Sequence, residues 1–306
     1  MASKITGNGG LFLTTVLIWG TTWFAILGQL GQVHPVASVA WRFLAASLVM
    51  FIICWVKSLE LRISPRIHLL CLVQGIALFG INYCLFYTAS LNLTTGLISV
   101  VFSTMVLWNA LGAFVFLGRP LDIRALLGGV IGVIGLCVLF WSQVEVFTIN
   151  QFGATPLIIC CIATLFASAG NLISAKTQGE GISVWVMSAY GMLYGALSVL
   201  MYAIIMNIPL QFEWSLIYLS SFLYLVLFGS VIAFGAYLTL LGRIGPGRVA
   251  YATVLFPLVA LLISVLFESH DLGPLTAVAV AIVLAGNWLA LSQPKVSKAA
   301  CTQAER

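Results

Sequence analysis

Charged side chains are scarce in this chain of 306 residues: 7% are Asp, Glu, Lys or Arg, whereas 62% are hydrophobic. A soluble domain carries roughly a quarter charged residues, so this chain has too little polar surface to keep a folded globule in water. The mean hydropathy of +1.14 points the same way. The composition therefore excludes an ordinary soluble protein and indicates an integral membrane protein.

Motifs for common kinds of catalysis are also missing. The sequence contains neither the G-x-x-x-x-G-K-[ST] phosphate loop nor the H-E-x-x-H zinc motif, and its three histidines lack metal-ligand spacing. The longest loop, about residues 142–154, is too short for a nucleotide-binding domain. Six of the seven cysteines lie in apolar stretches, which argues against a disulfide framework. We therefore expect no enzyme activity, no cofactor and no metal site.

Ten apolar stretches dominate what is present, and most reach the about 20 residues that a helix needs to cross a bilayer. The runs are continuous rather than alternating, which favours helices over barrel strands. They cover residues 11–30, 36–56, 68–89, 96–117, 125–141, 155–175, 183–206, 215–241, 249–267 and 273–292. The sequence thus predicts an all-α integral membrane protein with ten transmembrane helices.

Lysine and arginine are absent from five of the loops between these stretches, and those five alternate with the others. Twelve of the thirteen basic residues lie at the termini or in the remaining loops: Lys4, Lys57, Arg62, Arg66, Arg119, Arg124, Lys176, Arg243, Arg248, Lys295, Lys298 and Arg306. By the positive-inside rule, both termini lie in the cytoplasm. The net charge of +5 then suits anionic lipid rather than nucleic acid.

The second half of the sequence repeats the first. A shift of 149 residues places Leu78-Phe79-Gly80 on Leu227-Phe228-Gly229, Gly96 on Gly245, Val100 on Val249 and Thr104 on Thr253. Each half has five apolar stretches, an odd number, so the halves cross the membrane in opposite directions. We expect one membrane domain over 1–306, with repeats at 11–141 and 155–292 and a cytoplasmic tail at 293–306. Inverted repeats are typical of secondary transporters, with the substrate near the midplane.

The segment from Thr15 to Ile26 reads T-V-L-I-W-G-T-T-W-F-A-I and resembles the first-span signature of the EamA family, in the drug/metabolite transporter superfamily. Residues 40–46 resemble its second span. The strongest similarity runs from Leu227 to Glu268 and includes G-P-G-R-V-A at 245–250 and F-P-L at 256–258. The resemblance implies a ten-helix, 5+5 inverted-repeat carrier, usually bacterial, that often exports amino acids or related metabolites.

One departure from that pattern concerns the fourth stretch. Trp108 and Arg119 stand where the second half has Pro257 and Glu268. A proline inside a helix removes one backbone hydrogen bond and bends the helix. Pro257 is therefore a candidate gating hinge, and a static bend is the alternative.

Arg42 is the one charged residue clearly inside an apolar stretch. At about 1.5 Å per residue, it lies on the order of 9 Å from the outer end of the second stretch. A guanidinium at that depth can anchor a substrate carboxylate or phosphate. The alternative is a side chain that extends to the outer surface or bonds to carbonyl groups at a helix end.

Aromatic pairs spaced four residues apart place two rings on one helix face in the first, third and seventh stretches. With polar residues at similar depth, they predict a substrate-binding set: Arg42, Trp19, Trp23, Asn82, Tyr83, Tyr87, Tyr190 and Tyr251. Such a lining suits a substrate with an apolar or aromatic part and a polar head. Ordinary helix packing is the alternative for each of the aromatic residues.

Taken together, these features predict a secondary transporter in the bacterial cytoplasmic membrane that moves a small metabolite, first of all an amino acid or derivative, outwards by alternating access. A translocator of lipids or amphipathic drugs is the alternative, followed by a channel-like or structural membrane protein. No Asp or Glu lies within the ten stretches, which favours facilitated flux or coupling through substrate charge. Expected partners are a small-molecule substrate and membrane lipids. G-x-x-x-G pairs at 128–132 and 191–195 favour packing within a monomer over a weak homodimer.

Overall fold

The computed structural model describes residues 2–31, 33–93, 95–139, 141, 155–267 and 274–291, and this part contains helices and no strands. The helices are α1 (Ala2–Leu27), α2 (Pro35–Val56), α3 (Pro65–Ala89), α4 (Thr95–Ser103 and Met105–Leu117), α5 (Ile123–Leu139), α6 (Thr155–Gly179), α7 (Val184–Ile205), α8 (Leu216–Ile244), α9 (Pro246–Val249 and Tyr251–Phe267) and α10 (Pro274–Leu291). The prediction of an all-helical fold is confirmed for these residues.

Seven helices within the described residues, α1 to α4 and α6 to α8, are long and apolar enough to cross a membrane. Two shorter apolar helices cover Ile123–Leu139 and Leu275–Ala290. Large apolar side chains such as Trp55, Phe116 and Leu216 are more than two-thirds exposed, as expected of a surface that faces lipid rather than water. These findings support a multi-pass membrane protein; the number of spans and the side of the termini stay predictions.

Local sequence explains where several helices begin and end. Proline occupies the first position of α2 and of α3, where its missing N–H removes no helical bond. Ser64 caps α3 by accepting a hydrogen bond from the Ile67 N–H (3.4 Å), and Ser215 caps α8 in the same way. Gly245, with φ of 90°, ends α8 in a conformation that favours glycine.

Both G-x-x-x-G pairs pack inside the bundle. A Cβ on Gly195 of α7 would come within 2.7 Å of the Gly75 carbonyl oxygen in α3. A Cβ on Gly286 of α10 would come within 2.6 Å of the Gly128 carbonyl oxygen in α5. Such backbone contact is possible only between glycines, so these residues hold α3 on α7 and α5 on α10. The described structure thus uses both pairs within one chain.

Departures from regular α-helix recur at positions related by the 149-residue shift. Two segments are π-helical: Gly75–Ile81 in α3 and Leu225–Ile232 in α8. The π-helix is rare in proteins, and where it occurs it is often close to a functional site. In the break of α4, the Thr104 hydroxyl donates to the Val101 carbonyl (2.6 Å), and in α9 the Thr253 hydroxyl donates to the Ala250 carbonyl (2.6 Å). The two halves thus share these local features as well as their sequence identities.

Candidate functional site

A small cavity lies among α1, α2, α3, α4, α6, α8 and α9, so both halves of the sequence contribute to its wall. Its volume is about 40 Å³, which is space for about three water molecules. The aromatic part of the wall consists of Trp19, Tyr83, Phe86, Phe102, Phe234, Tyr237 and Phe256. The polar part consists of Thr22, Arg42, Asn82 and Asn171. A mostly apolar wall with a few convergent polar groups is typical of a small-molecule site.

Arg42 lies in this wall and is only 1% exposed, so its side chain does not extend to the outer surface. Its Nε donates to the Ser230 hydroxyl (2.9 Å), and its Nη1 donates to the Tyr87 hydroxyl (3.3 Å). The guanidinium also lies 4.8 Å from the centre of the Tyr83 ring. The two ion pairs found among the described residues, Arg66–Glu180 and Arg248–Asp122, lie elsewhere. Arg42 is therefore a buried cation without a described carboxylate partner.

Tyr87 positions Arg42 rather than lining the cavity. An arginine can only donate, so the Tyr87 hydroxyl accepts from Arg42 and gives its own hydrogen to Oε1 of Gln29 (2.9 Å). Both Tyr87 and Gln29 are buried. Two of the five N–H groups of Arg42 are engaged by protein in these contacts. The others leave donor capacity for an anion.

Trp19 closes the side of the cavity next to the π-helical segment of α8. Its indole N–H donates to the Gly229 carbonyl (3.0 Å), and its ring packs against Phe234 and Tyr237, each with a centroid distance of 4.8 Å. A Cβ on Gly229 would lie 2.9 Å from the Thr22 methyl group and 3.2 Å from Nη2 of Arg42. Glycine is thus needed there for the close approach of α1, α2 and α8.

Two asparagines bring polar atoms to the wall. Asn82 of α3 donates to the Ala163 carbonyl in α6 (2.9 Å), and Asn171 of α6 donates to the Tyr237 hydroxyl in α8 (3.1 Å). Asn82 belongs to the binding set predicted from sequence, whereas Asn171 and Tyr237 do not. The sequence signal that could have identified Asn171 and Tyr237 is a polar group near the middle of an apolar stretch. Phe234 and Phe256 carry no such signal, because an aromatic residue in an apolar helix usually packs in the core.

Of the predicted set, Arg42, Trp19, Asn82 and Tyr83 line the cavity together. Tyr190 lies away from it: its hydroxyl donates to the Leu61 carbonyl (3.1 Å) in the loop before α3. Tyr251 is buried among α5, α9 and α10 and does not line the cavity. The Trp23 side chain lies outside the described residues.

Pro257 lies inside α9, where it removes the N–H that would bond to the Thr253 carbonyl. That carbonyl instead lies 3.0 Å from the Ser103 hydroxyl, next to the break in α4. The same hydroxyl lies 2.7 Å from the Ser99 carbonyl, so one hydrogen serves two acceptors. The carbonyl that Pro257 leaves free is thus bonded to the residue just before the break in α4. The role of Pro257 as a hinge stays a prediction.

A second, wider cavity of about 460 Å³ lies at the loops before α5 and α9, and its wall includes Arg119, Asp122, Arg124 and Arg248. Asp122 accepts from Arg248 (2.9 Å) and from the Ala125 N–H at the start of α5 (3.2 Å). Partial burial opposes ionisation of Asp122, but the hydrogen bonds from Arg248 and Ala125 outweigh it and lower the pKa of this carboxyl. The ion pair therefore ties the loop of one half to that of the other.

Comparisons with known proteins agree with the fold. The chain is 27% identical over 293 residues to a probable amino-acid metabolite efflux pump of Salmonella typhimurium, covering 92% of this chain and 94% of that protein. It is 24% identical over 250 residues to the uncharacterized transporter YoaV of Bacillus subtilis, covering 81% and 84%. A crystal structure at 19% identity superposes with a TM-score of 0.74 over 94% of this chain and 96% of the other, which shows a shared fold. The model of the EamA-like transporter family matches residues 9–141 and again residues 155–292. The chain therefore belongs to the EamA-like transporter family.

Proposed function

We propose that this protein is a secondary transporter that moves an amino acid or a closely related metabolite outwards across the bacterial cytoplasmic membrane by alternating access. Family membership supports transport in general. The likeness to a probable amino-acid metabolite efflux pump favours this substrate class. The cavity supplies the argument from the chain's own residues.

Arg42 is the observation that carries the proposal. Removing a cation from water is costly, and a buried cation is normally compensated by a carboxylate in contact with it. Hydroxyl groups of Ser230 and Tyr87 satisfy two donors of Arg42, yet they bring no negative charge. A substrate carboxylate would bring that charge and would accept hydrogen bonds from the remaining donors. The cavity is thus prepared for an anionic group beside an apolar aromatic wall.

The architecture that we propose is ten spans in two inverted five-helix halves, with both termini in the cytoplasm. The paired π-helical segments and the paired threonine turns support two halves of similar structure. Two similar halves that exchange conformations give outward-facing and inward-facing forms of similar free energy. An amino acid has more atoms than the about three waters that fit the present cavity. The cavity must therefore widen to bind substrate.

The energy source that we propose is the substrate gradient itself, or the charge that the substrate carries. The helices that the structure describes contain no Asp or Glu, so none of them offers a buried carboxylate to exchange a proton for substrate. Flux that rises steeply with an imposed pH gradient at fixed voltage would contradict this part of the proposal.

Counterflow into proteoliposomes tests the proposal. Vesicles with purified protein are preloaded with one unlabelled amino acid at a time, and uptake of the labelled form is measured. We expect trans-stimulated uptake that Arg42→Ala abolishes. Arg66→Ala is the matched control, because Arg66 forms an exposed ion pair with Glu180. Trans-stimulation that survives in Arg42→Ala would remove Arg42 from the site. The absence of counterflow with any amino acid, alongside uptake of amphipathic compounds, would favour the alternative substrate class.

A further inference from the structure

A residue of the cavity wall carries a buried amide oxygen that has no hydrogen-bond partner among the described residues. This oxygen is Oδ1 of Asn171, a residue that is 1% exposed and that lines the same cavity as Arg42. A buried acceptor without a donor is unfavourable, and such atoms are rare in folded proteins. We propose that Asn171 recognises the ammonium group of the substrate, while Arg42 binds its carboxylate; this inference rests on the proposed function.

Neighbouring atoms fix the orientation of this amide. Nδ2 of Asn171 lies 3.1 Å from the Tyr237 hydroxyl and 3.3 Å from the Met105 sulfur. A thioether sulfur can only accept, so the atom next to it must be the NH₂ group. The side chain atom that remains for a ligand is therefore the carbonyl oxygen, which can only accept.

Two groups of the cavity wall have opposite hydrogen-bonding character. Arg42, from α2, offers only donors, and Asn171, from α6, offers only its free acceptor. A carboxylate accepts and a protonated amine donates, so an amino acid carries a complement to each of these groups. Aromatic rings of Trp19 and Tyr237 complete the wall, and ring faces also attract a cation.

Two other asparagines in the bundle make a comparison possible. Asn82 also lines the cavity, and its NH₂ group is bonded to the Ala163 carbonyl. Its amide oxygen is therefore the other candidate acceptor for the ammonium group. Asn287 of α10 resembles Asn171: it is buried, its NH₂ group donates to the Val283 carbonyl (3.2 Å), and its Oδ1 lacks a described partner. Asn287 does not line the cavity, which makes it the matched control.

The test compares ligands with and without an amine. Purified protein receives L-phenylalanine or 3-phenylpropanoate, and L-alanine or propanoate; affinity is measured from ligand-induced thermal stabilisation and from inhibition of counterflow. Hydrogen bonds to a charged group predict a preference for the amine of about tenfold or more in the wild type. We expect Asn171→Leu to bring this ratio close to one, Asn171→Asp to keep it, and Asn287→Leu to leave it unchanged. Asn171→Ala replaces the leucine variant if that variant does not fold.

The other possible results distinguish the role of Asn171 from the proposed transport function. A wild-type preference that Asn171→Leu retains overturns the role of Asn171 and leaves the proposed function standing. Loss of the preference in Asn82→Leu alone assigns the amine to Asn82 and overturns the inference in the same way. Equal wild-type affinity within each pair overturns amine recognition while the carboxylate site at Arg42 stands. Binding of neither member of a pair overturns both claims for these compounds.

Discussion

Gly229 offers a sharp test of how closely α8 approaches α1 and α2 beside the cavity. Substitution by alanine would place a methyl group 2.9 Å from the Thr22 methyl and 3.2 Å from Nη2 of Arg42. Both distances are below ordinary van der Waals contact, so either the helices separate or the side chains shift. Overpacking of this kind typically costs about 1–3 kcal/mol. Gly229→Ala should therefore lower stability and displace Arg42.

Thr22→Ser identifies the cause, because it removes the methyl group nearest to the new Cβ and keeps the hydroxyl, which donates to the Trp19 carbonyl (2.7 Å). The double variant Thr22→Ser/Gly229→Ala should recover part of the lost stability, with a coupling free energy of at least about 0.5 kcal/mol. The assay is thermal unfolding of purified protein in detergent, followed by counterflow at several substrate concentrations. Displacement of Arg42 should raise KM.

The matched control is Gly179→Ala, since a Cβ at Gly179 meets nothing within 4 Å. That variant should be neutral or slightly stabilising, because alanine restricts the unfolded chain more than glycine does. Our reasoning would be refuted by a Gly229→Ala protein as stable as the wild type. It would equally be refuted by additive effects of Thr22→Ser and Gly229→Ala, because the nearest contact would then not be the cause.

Three further predictions concern other parts of the molecule. Ser103→Ala removes the donor near the Thr253 carbonyl that Pro257 leaves free, and should cost about 1–3 kcal/mol in thermal unfolding. Pro257→Ala in the same chain restores the backbone N–H and should reduce that loss; a loss of the same size in both backgrounds would contradict the assignment. Asp122→Asn should destabilise the protein at neutral pH. Since the folded pKa of Asp122 is lowered from 3.8, its contribution is present above that pH and lost as the pH falls through the folded value. The difference between wild type and variant in unfolding scans should therefore shrink at acid pH, and a constant difference would count against the ion pair. Tyr190→Phe should leave the KM of counterflow unchanged, whereas Tyr83→Leu should raise it, because only Tyr83 lines the cavity. A higher KM in Tyr190→Phe would return that residue to the site.

Sequence reasoning located Arg42 because a single charge in an apolar stretch has few explanations. Trp19 and Tyr83 followed from aromatic spacing, which gives the face of a helix. Spacing does not give the neighbour of that face, so the same argument also includes Tyr190. In the fold the Tyr190 hydroxyl donates to the Leu61 carbonyl, away from the cavity. The helical class was predictable from composition, since continuous apolar runs in a membrane leave few other structures.

The π-helical segments had no signal in the sequence beyond the repeated Leu-Phe-Gly. A π-helix depends on tertiary contacts that offset its poorer packing, and neither period nor propensity encodes those contacts. Asn171 was visible as a polar residue at mid-span depth, but its orphaned oxygen depends on the positions of Tyr237 and Met105. Tyr237 and Met105 lie on other helices, so their distances to Asn171 are known only once the helices are packed together.

The hydrogen bond between Arg42 and Ser230 joins α2 to α8, which belong to different halves of the chain. A rocking motion that separates these helices must break it and return one N–H to the cavity. The guanidinium then has one more free donor than in the described structure. The donors that Ser230 and Tyr87 leave over stay available to a substrate carboxylate whether or not this bond is made. Loss of the bond to Ser230 therefore marks the separation of the two halves and not the occupancy of the site.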